Sequence, residues 1–230
     1  MSIAKTKNRG QDNFPYLIKL PLPQLKGQIS LEESIAKRRS IRRFKAEPLS
    51  IYQLGQILWA AQGITSPEKR LRAAPSAGGT YPLEIFLTIG KQAIAISSGP
   101  EVKRYAGVAK LPAGIYYYHA NTHALELHRS GDLRTELAGA ALDQGFLATA
   151  PVDIVICAVY SRTLYTYEER GKRYIHMETG HAGENIHLQV TTLGLATVEV
   201  GAFDDVKVRN ILRVDSQFKP LYIMPVGMPL

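Results

Sequence analysis

Apolar positions along the chain recur with two periods, and the switches between them mark out the elements. Within residues 51–62, Leu54, Ile57, Leu58 and Ala61 share one face of a 3.6-residue repeat, which predicts a helix. Ser50 and Gln53 form a capping box at its start, and Gly63 supplies a stop. Ser30 and Glu33 repeat the capping device before a shorter helix at 31–38. The longest helical pattern spans 173–193, where Ala182, Ile186, Val190 and Leu193 align and Gly194 follows. Asp132 is expected to cap a helix through Leu142 that continues brokenly to Ala148, and Asp204 one reaching Leu212. Period-2 alternation marks strands at 84–90 and around 93–96. Segments 114–118 and 124–128 flank the hairpin-like turn Ala120-Asn121-Thr122. Residues 152–160 are apolar on both faces, as at the centre of a covered sheet, and further strands are expected at 195–200 and 221–226.

Hairpins come early and crossovers late, which predicts an α+β fold with a mostly antiparallel central sheet flanked by helices. Residues 1–28 are polar and then proline-rich (Pro15, Pro21, Pro23), an extended N-terminal arm; 29–230 reads as one domain without repeat or linker. At 230 residues, 45% hydrophobic, the chain can bury one substantial core or two modest ones. Its apolar runs are too short to cross a bilayer, so no membrane association is expected. Lys5, Lys7 and Arg9 are followed by Gln11, Asp12 and Asn13 rather than an apolar signal core, and read as a solvated tail. The single cysteine, Cys157, excludes an internal disulfide and a cysteine-built metal site; a reducing, cytoplasmic location is the default.

Charge changes the picture more. Lys and Arg outnumber Asp and Glu by 28 to 20, a net +8. The densest cluster, Lys37-Arg38-Arg39-Ser40-Ile41-Arg42-Arg43-Phe44-Lys45, is compact and bounded by apolar residues. It fits a discrete phosphate better than an extended polyanion, so nucleic acid is not the expected partner. Guanidinium forks around a serine hydroxyl suit one anion, although a solvated basic helix end accounts for them too. A second segment, Pro75-Ser76-Ala77-Gly78-Gly79-Thr80-Tyr81-Pro82, pairs glycines whose backbone can approach a flat ligand, or make a turn. The third, 193–205, delivers Val200 and Gly201 from a strand just before a helix N-terminus. His119, His123 and His128 need not converge on a hairpin, so no metal is expected. His181 and His187 lie about 240° apart on the long helix, and His181 reads as a buried, hydrogen-bonded histidine.

Taken in order, these segments resemble the nitroreductase superfamily over residues 30–230. Ser34-Ile35-Ala36-Lys37-Arg38-Arg39-Ser40-Ile41-Arg42-Arg43-Phe44 looks like its opening flavin-phosphate motif. Pro75-Ser76-Ala77-Gly78-Gly79-Thr80-Tyr81-Pro82-Leu83-Glu84 is similar to the PSAGxxYPLE string of the SagB-type dehydrogenase branch. Glu178-Thr179-Gly180-His181-Ala182-Gly183-Glu184-Asn185 resembles that branch's ExGHxxQN helix, with Glu184 in place of the usual glutamine. Leu193-Gly194-Leu195 and Val200-Gly201-Ala202-Phe203-Asp204-Asp205 complete the order.

The resemblance implies an FMN-dependent oxidoreductase, an intertwined homodimer with flavin at the subunit interface and a small organic substrate, with NAD(P)H a candidate electron donor. Arg38, Arg39, Ser40 and Arg42 would hold the phosphate and ribityl chain. Pro75, Ser76, Ala77, Gly78 and Gly79 would lie near the flavin ring, reaching across from the partner, and Val200 and Gly201 would present main-chain groups to its reactive edge. Tyr167 would be the catalytic side chain, matching the tyrosine of a Lys-Tyr pair in azoline oxidases of modified-peptide biosynthesis. Thr166 stands where that lysine is expected and cannot act as a base near neutral pH. Met228 stands where relatives often place a basic residue. These departures favour a reductase or dehydrogenase over azoline oxidation, with a partner-dependent flavin subunit as a further alternative.

Overall fold

The computed structural model describes residues 17–96 and 110–230. Its centre is a seven-stranded sheet made from β1 (Leu17–Lys19), β5 (Leu83–Ile89), β7 (Gly114–His119), β8 (Ala124–Ser130), β9 (Val152–Val159), β10 (Ala196–Thr197) and β11 (Phe218–Gly227). The strands lie in the order β1-β8-β7-β5-β9-β11-β10, and every neighbouring pair is antiparallel. Two small pairs stand outside it: β2 (Leu49–Ser50) with β6 (Ile94–Ala95), parallel, and β3 (Ile64–Ser66) with β4 (Leu71–Arg72), antiparallel. The α+β expectation therefore holds.

The strand period of two divides the core between the sheet's faces. Leu83, Ile85, Leu87 and Ile89 of β5, with Ile154 and Ile156 of β9, pack toward α2 (Ile51–Gln62) and α6 (Arg170–Thr192). Phe86, Val155 and Cys157 pack on the other face, toward α3 (Arg134–Ala140), α4 (Phe146–Thr149) and α7 (Asp205–Leu212). Every residue of β9 is buried, as its two-sided apolar run predicted. Each Leu or Ile so covered contributes about 1.5–3 kcal/mol of transfer free energy. Among the described residues no helix is long and apolar enough to cross a membrane.

Helix α2 forms as the sequence predicted. Gln53 N–H donates to Ser50 Oγ (3.1 Å), and Ser50 N–H donates to Gln53 Oε1 (2.9 Å). Gly63 ends it in an extended conformation (φ −65°) rather than a left-handed one, and the reason for glycine there is packing. A Cβ at Gly63 would lie 2.3 Å from Trp59 Cδ1. α1 (Leu31–Lys37) is capped by Ser30, whose hydroxyl accepts from Glu33 N–H.

Other expectations change. Asp132 does not cap α3: its carboxylate is gripped by the Arg134 guanidinium, with Nε to Oδ1 at 2.8 Å and NH2 to Oδ2 at 2.7 Å. The strand expected at 195–200 shrinks to β10, while Val200 makes an isolated bridge to Ile223. An additional helix, α5 (Tyr160–Tyr167), follows β9 directly. Its inward face is short: buried Thr163 with half-buried Tyr160, Leu164 and Tyr167. Leu17–Lys19, within the expected arm, is an edge strand on β8, and Ile18 and Leu20 join the core. The basic stretch Lys5–Arg9 lies outside the described residues. The three hairpin histidines diverge: His119 meets Glu126, His123 meets Tyr118 and the Pro21 carbonyl, and His128 meets the Arg213 carbonyl.

Candidate functional site

The basic motif begins where α1 ends. Arg38 is its C-cap, and the Arg39 guanidinium turns back to donate to the carbonyls of Ala36 (3.0 Å) and Arg38 (2.6 Å). Arg39 thus serves the helix end, the plainer of the two roles open to it. Ser40 then bridges in parallel to Thr197, and Ile41 N–H donates to the Thr197 carbonyl (2.9 Å). β10 so fixes Arg38, Arg39, Ser40 and Arg42 beside the strand end carrying Val200 and Gly201. Arg39, Ser40, Arg42 and Gly201 are exposed, and Arg38 is half-buried. Val200 exchanges both main-chain hydrogen bonds with Ile223 (2.9 Å each). The open amide at this strand end is therefore that of Gly201, which has no partner among the described residues.

Beneath this surface lies His187, 1% exposed. Its Nε2 faces the Arg39 carbonyl (3.1 Å) and its Nδ1 faces Glu199 Oε1 (2.8 Å). A carbonyl only accepts, so Nε2 carries a hydrogen, and a carboxylate at Nδ1 favours a second proton. Burial opposes that charge, but the hydrogen bonds to Glu199 and the Arg39 carbonyl outweigh it and raise the His187 pKa. Glu199 is held below the ordinary carboxylate range although burial pushes the other way. Glu184 completes a trio whose candidate ligand atoms lie within 4.8 Å of one another. Both ring nitrogens of His187 are already hydrogen-bonded, which makes the trio an ion-pair network rather than a metal centre. His181, expected to be buried, is exposed, because the helix turns His187 inward instead.

The glycine motif folds against a different part of the molecule. Ser76 Oγ accepts from Tyr81 N–H (2.9 Å), and a single 3-10 turn occupies Ala77–Gly79. Gly78 has φ +59°, and a Cβ there would come within 2.7 Å of Tyr167 Oη. Glycine is required both for the left-handed backbone and for Tyr167 to reach the loop. Tyr167 is held edge-on by Tyr174 at a centroid distance of 5.1 Å. Thr80 Oγ1 ties the loop to Thr163 of α5 (2.8 Å). Pro75, Gly78 and Gly79 are exposed; Ser76 and Ala77 are half-buried.

Behind Ser76 sits Glu178, 3% exposed, with Oε1 lacking any partner. Burial pushes its pKa up to about 7, against the lowering effects of the Ser76 hydroxyl and of Arg72. A carboxyl poised there can hold or release a proton near neutral pH. Arg72 stacks over the Tyr81 ring at 4.7 Å, and burial lowers its pKa.

The structure therefore brings Arg38, Arg39, Ser40 and Arg42 to Val200 and Gly201, and brings Pro75–Gly79 to Tyr167. It does not bring the two groups together in one chain. Glu178, under the glycine loop, and His187, under the basic motif, are nine residues apart on α6. That is about 13 Å along the axis and about 180° around it. Glu178 fell within a quoted motif without a role, and neither Arg72 nor the His187–Glu199 pair carried a sequence signal, since their meaning depends on burial.

Comparison with known proteins gives a consistent result. The model of the nitroreductase family matches residues 35–228. A provisionally named nitroreductase of Methanocaldococcus jannaschii is 40% identical over 210 residues, covering 91% of this chain and 96% of that protein. The microcin B17-processing protein McbC of Escherichia coli is 26% identical over 181 residues, 78% of this chain and 62% of that one. Among solved structures, a provisionally assigned nitroreductase from Ralstonia eutropha JMP134 superposes with a TM-score of 0.77 at 26% identity, covering 94% and 90% of the two chains.

Proposed function

This chain belongs to the nitroreductase family, and from that premise we propose that it is an FMN-dependent oxidoreductase acting on a small organic substrate as a homodimer. The observation that carries the reading is the division of the motifs between opposite faces of α6. Two copies related by a two-fold axis would each supply the half that the other lacks.

The residues present suit the cofactor. Exposed Arg42, Arg39 and Ser40 with half-buried Arg38 form a cationic, donor-rich ledge for a phosphate. Gly201 offers a free amide at the same strand end, Gly79 is exposed on the opposite loop, and a side chain on Gly78 would displace Tyr167. When bound, FMN supplies the hydride chemistry. The chain's own contribution is to bind and to manage protons. Arg38 and Arg42 neutralise phosphate charge, Gly201 N–H stabilises developing negative charge, and Glu178 holds a proton behind Ser76 while Tyr167 walls the loop. Val200 serves by packing, its main chain being bonded to Ile223. Apolar side chains left exposed on α1 (Leu31, Ile35), α5 (Tyr165) and α6 (Met177) are surface that a second copy could cover. A buried thiol at Cys157 suits a cytoplasmic location, and NAD(P)H is the proposed electron donor.

The test is to purify the protein without added cofactor and record its visible spectrum, heat-released flavin and molar mass. A yellow dimer with equimolar FMN, bleached by NAD(P)H, supports the reading; colourless protein that refuses FMN refutes it. A second reading, azoline oxidation during peptide modification, is favoured by the likeness to the microcin-processing protein. Thr166 in place of a basic residue opposes it, and turnover of an azoline peptide by the purified protein would decide for it.

A further inference from the structure

A polar recess of about 480 Å³ is lined among others by Gln62, Arg72, Glu84, Tyr117 and Arg162. Its hydrogen bonds can be accounted for one by one. Glu84 is fully engaged: Oε1 pairs with the Arg162 guanidinium, and Oε2 accepts from Tyr117 Oη at 2.5 Å. Arg162 donates in addition to the Tyr81 carbonyl (2.9 Å). The Arg162 charge and the Glu84 charge therefore answer each other.

Arg72 is left over. Its one hydrogen bond among the described residues runs from NH1 to Gln62 Oε1 (3.0 Å), and no carboxylate of the described residues lies within 4.0 Å of it. That bond also fixes the orientation of the Gln62 amide, leaving Nε2 as its unpaired group. Gln62 is 1% exposed, and Nε2 has no acceptor. Glu84 and Glu178 act on Arg72 from a distance, but the recess itself sets two guanidinium groups against one carboxylate, and it buries an amide donor without an acceptor among the described residues, which is unfavourable. Both groups line the same recess, side by side.

We propose that this recess is a carboxylate-binding site, in which Arg72 pairs with the carboxylate and Gln62 Nε2 donates to a neighbouring carbonyl. The ligand class is an acylamino acid, either free or as the end of a peptide. The site stands on Gln62, Arg72 and their surroundings, and its test needs no flavin.

Binding of N-acetylglycine, N-acetylglycinamide and acetate to the purified full-length protein, followed by calorimetry and ligand-observed NMR, tests it. N-acetylglycine should bind at one site per chain, and the neutral amide about tenfold or more weakly, the loss of one charge-assisted pair. Acetate, which lacks the carbonyl, should bind more weakly than N-acetylglycine but still measurably. Arg72→Gln should weaken N-acetylglycine by a similar factor and Arg72→Lys by less, with far-UV circular dichroism unchanged. Gln62→Leu should abolish the advantage of N-acetylglycine over acetate. Equal binding of acid and amide, unaltered affinity in Arg72→Gln, or no binding at millimolar concentration each overturns the proposal. The last is also the outcome if another segment of the chain or a second copy fills the recess. Should Arg72→Gln fail to fold, the acid–amide comparison on the unaltered protein decides alone.

Discussion

Glu178 allows a quantitative test of how its site is built. Its carboxyl is 3% exposed, one oxygen has no partner, and burial lifts its pKa from an ordinary 4.5 to about 7. Below pH 4.5 the group is protonated in both the folded and unfolded chains and contributes no pH dependence. Between 4.5 and 7 the unfolded chain ionises it while the folded chain does not, so folding loses stability as pH rises. Above pH 7 the loss levels off at about 3 kcal/mol, from 1.36 kcal/mol for each pH unit separating the two values. Glu178→Gln removes the titration while keeping the shape and an oxygen for the Ser76 hydroxyl. The orphaned position stays orphaned in both forms, so the absolute offset between them is not diagnostic, but the slope is. Urea unfolding at fixed protein concentration from pH 4.5 to 8 should show wild-type stability falling relative to the variant by about 3 kcal/mol. For a chain of this size that corresponds to roughly 6–12 °C in the difference between thermal midpoints. Other titrating groups, such as His187 and Asp153, are common to both proteins and cancel. Parallel curves across the range would show that Glu178 is solvated or paired in solution, and would remove it as a proton holder behind Ser76.

The remaining expectations concern the other parts of the site. Arg38→Ala combined with Arg42→Ala should weaken FMN retention on gel filtration, and unchanged flavin occupancy would exclude both residues from the phosphate ledge. Gly78→Ala places a Cβ against Tyr167 Oη in a left-handed backbone and should lower stability by about 1–2 kcal/mol in chemical denaturation; an undiminished midpoint would show that the loop relaxes freely. His187 has a raised folded-state pKa, so the stability it contributes is present below about pH 6.5 and lost as pH rises through the folded value. Glu199→Gln should flatten that fall, seen as a smaller difference in urea midpoints between pH 6 and 8. Ser50→Ala removes one half of the α2 capping box and should cost about 1 kcal/mol, with no change in flavin content.

Much of the architecture was legible because local chemistry and tertiary context agree. The capping box at Ser50, the two-sided apolar run that became β9, and the aligned Ala182, Ile186 and Val190 of α6 each state their role within a few residues. Legibility failed where the deciding partner is distant. Asp132 has the chemistry of a cap, but the N-cap place falls to Leu133, and the Asp132 carboxylate is held chiefly by the Arg134 guanidinium, with a longer bond from the Arg134 amide. The apolar run after Gly194 predicted a strand, yet Val200 finds its partner in Ile223 across an isolated bridge, and pairing stops at Thr197. Helix α5 was not legible because its apolar face, Tyr160, Leu164 and Tyr167 beside buried Thr163, spans only two turns and directly follows β9.

For the site, the sequence by itself determined the inventory: a serine ringed by arginines, a glycine pair, a glycine at a strand end, and a tyrosine before a long helix. Their types and order suit an anion and a flat ligand, but each segment taken alone is equally a solvated helix end or a turn. Tertiary structure alone decided how that inventory is divided. Helix α6 sends Glu178 and His187 to opposite sides, so the residues behind the glycine loop and those behind the basic motif face different ways. It also decided which ionisable groups are perturbed. Desolvation and pairing are properties of what surrounds a side chain, and nothing within a few residues of Glu178, Arg72 or Gln62 encodes them.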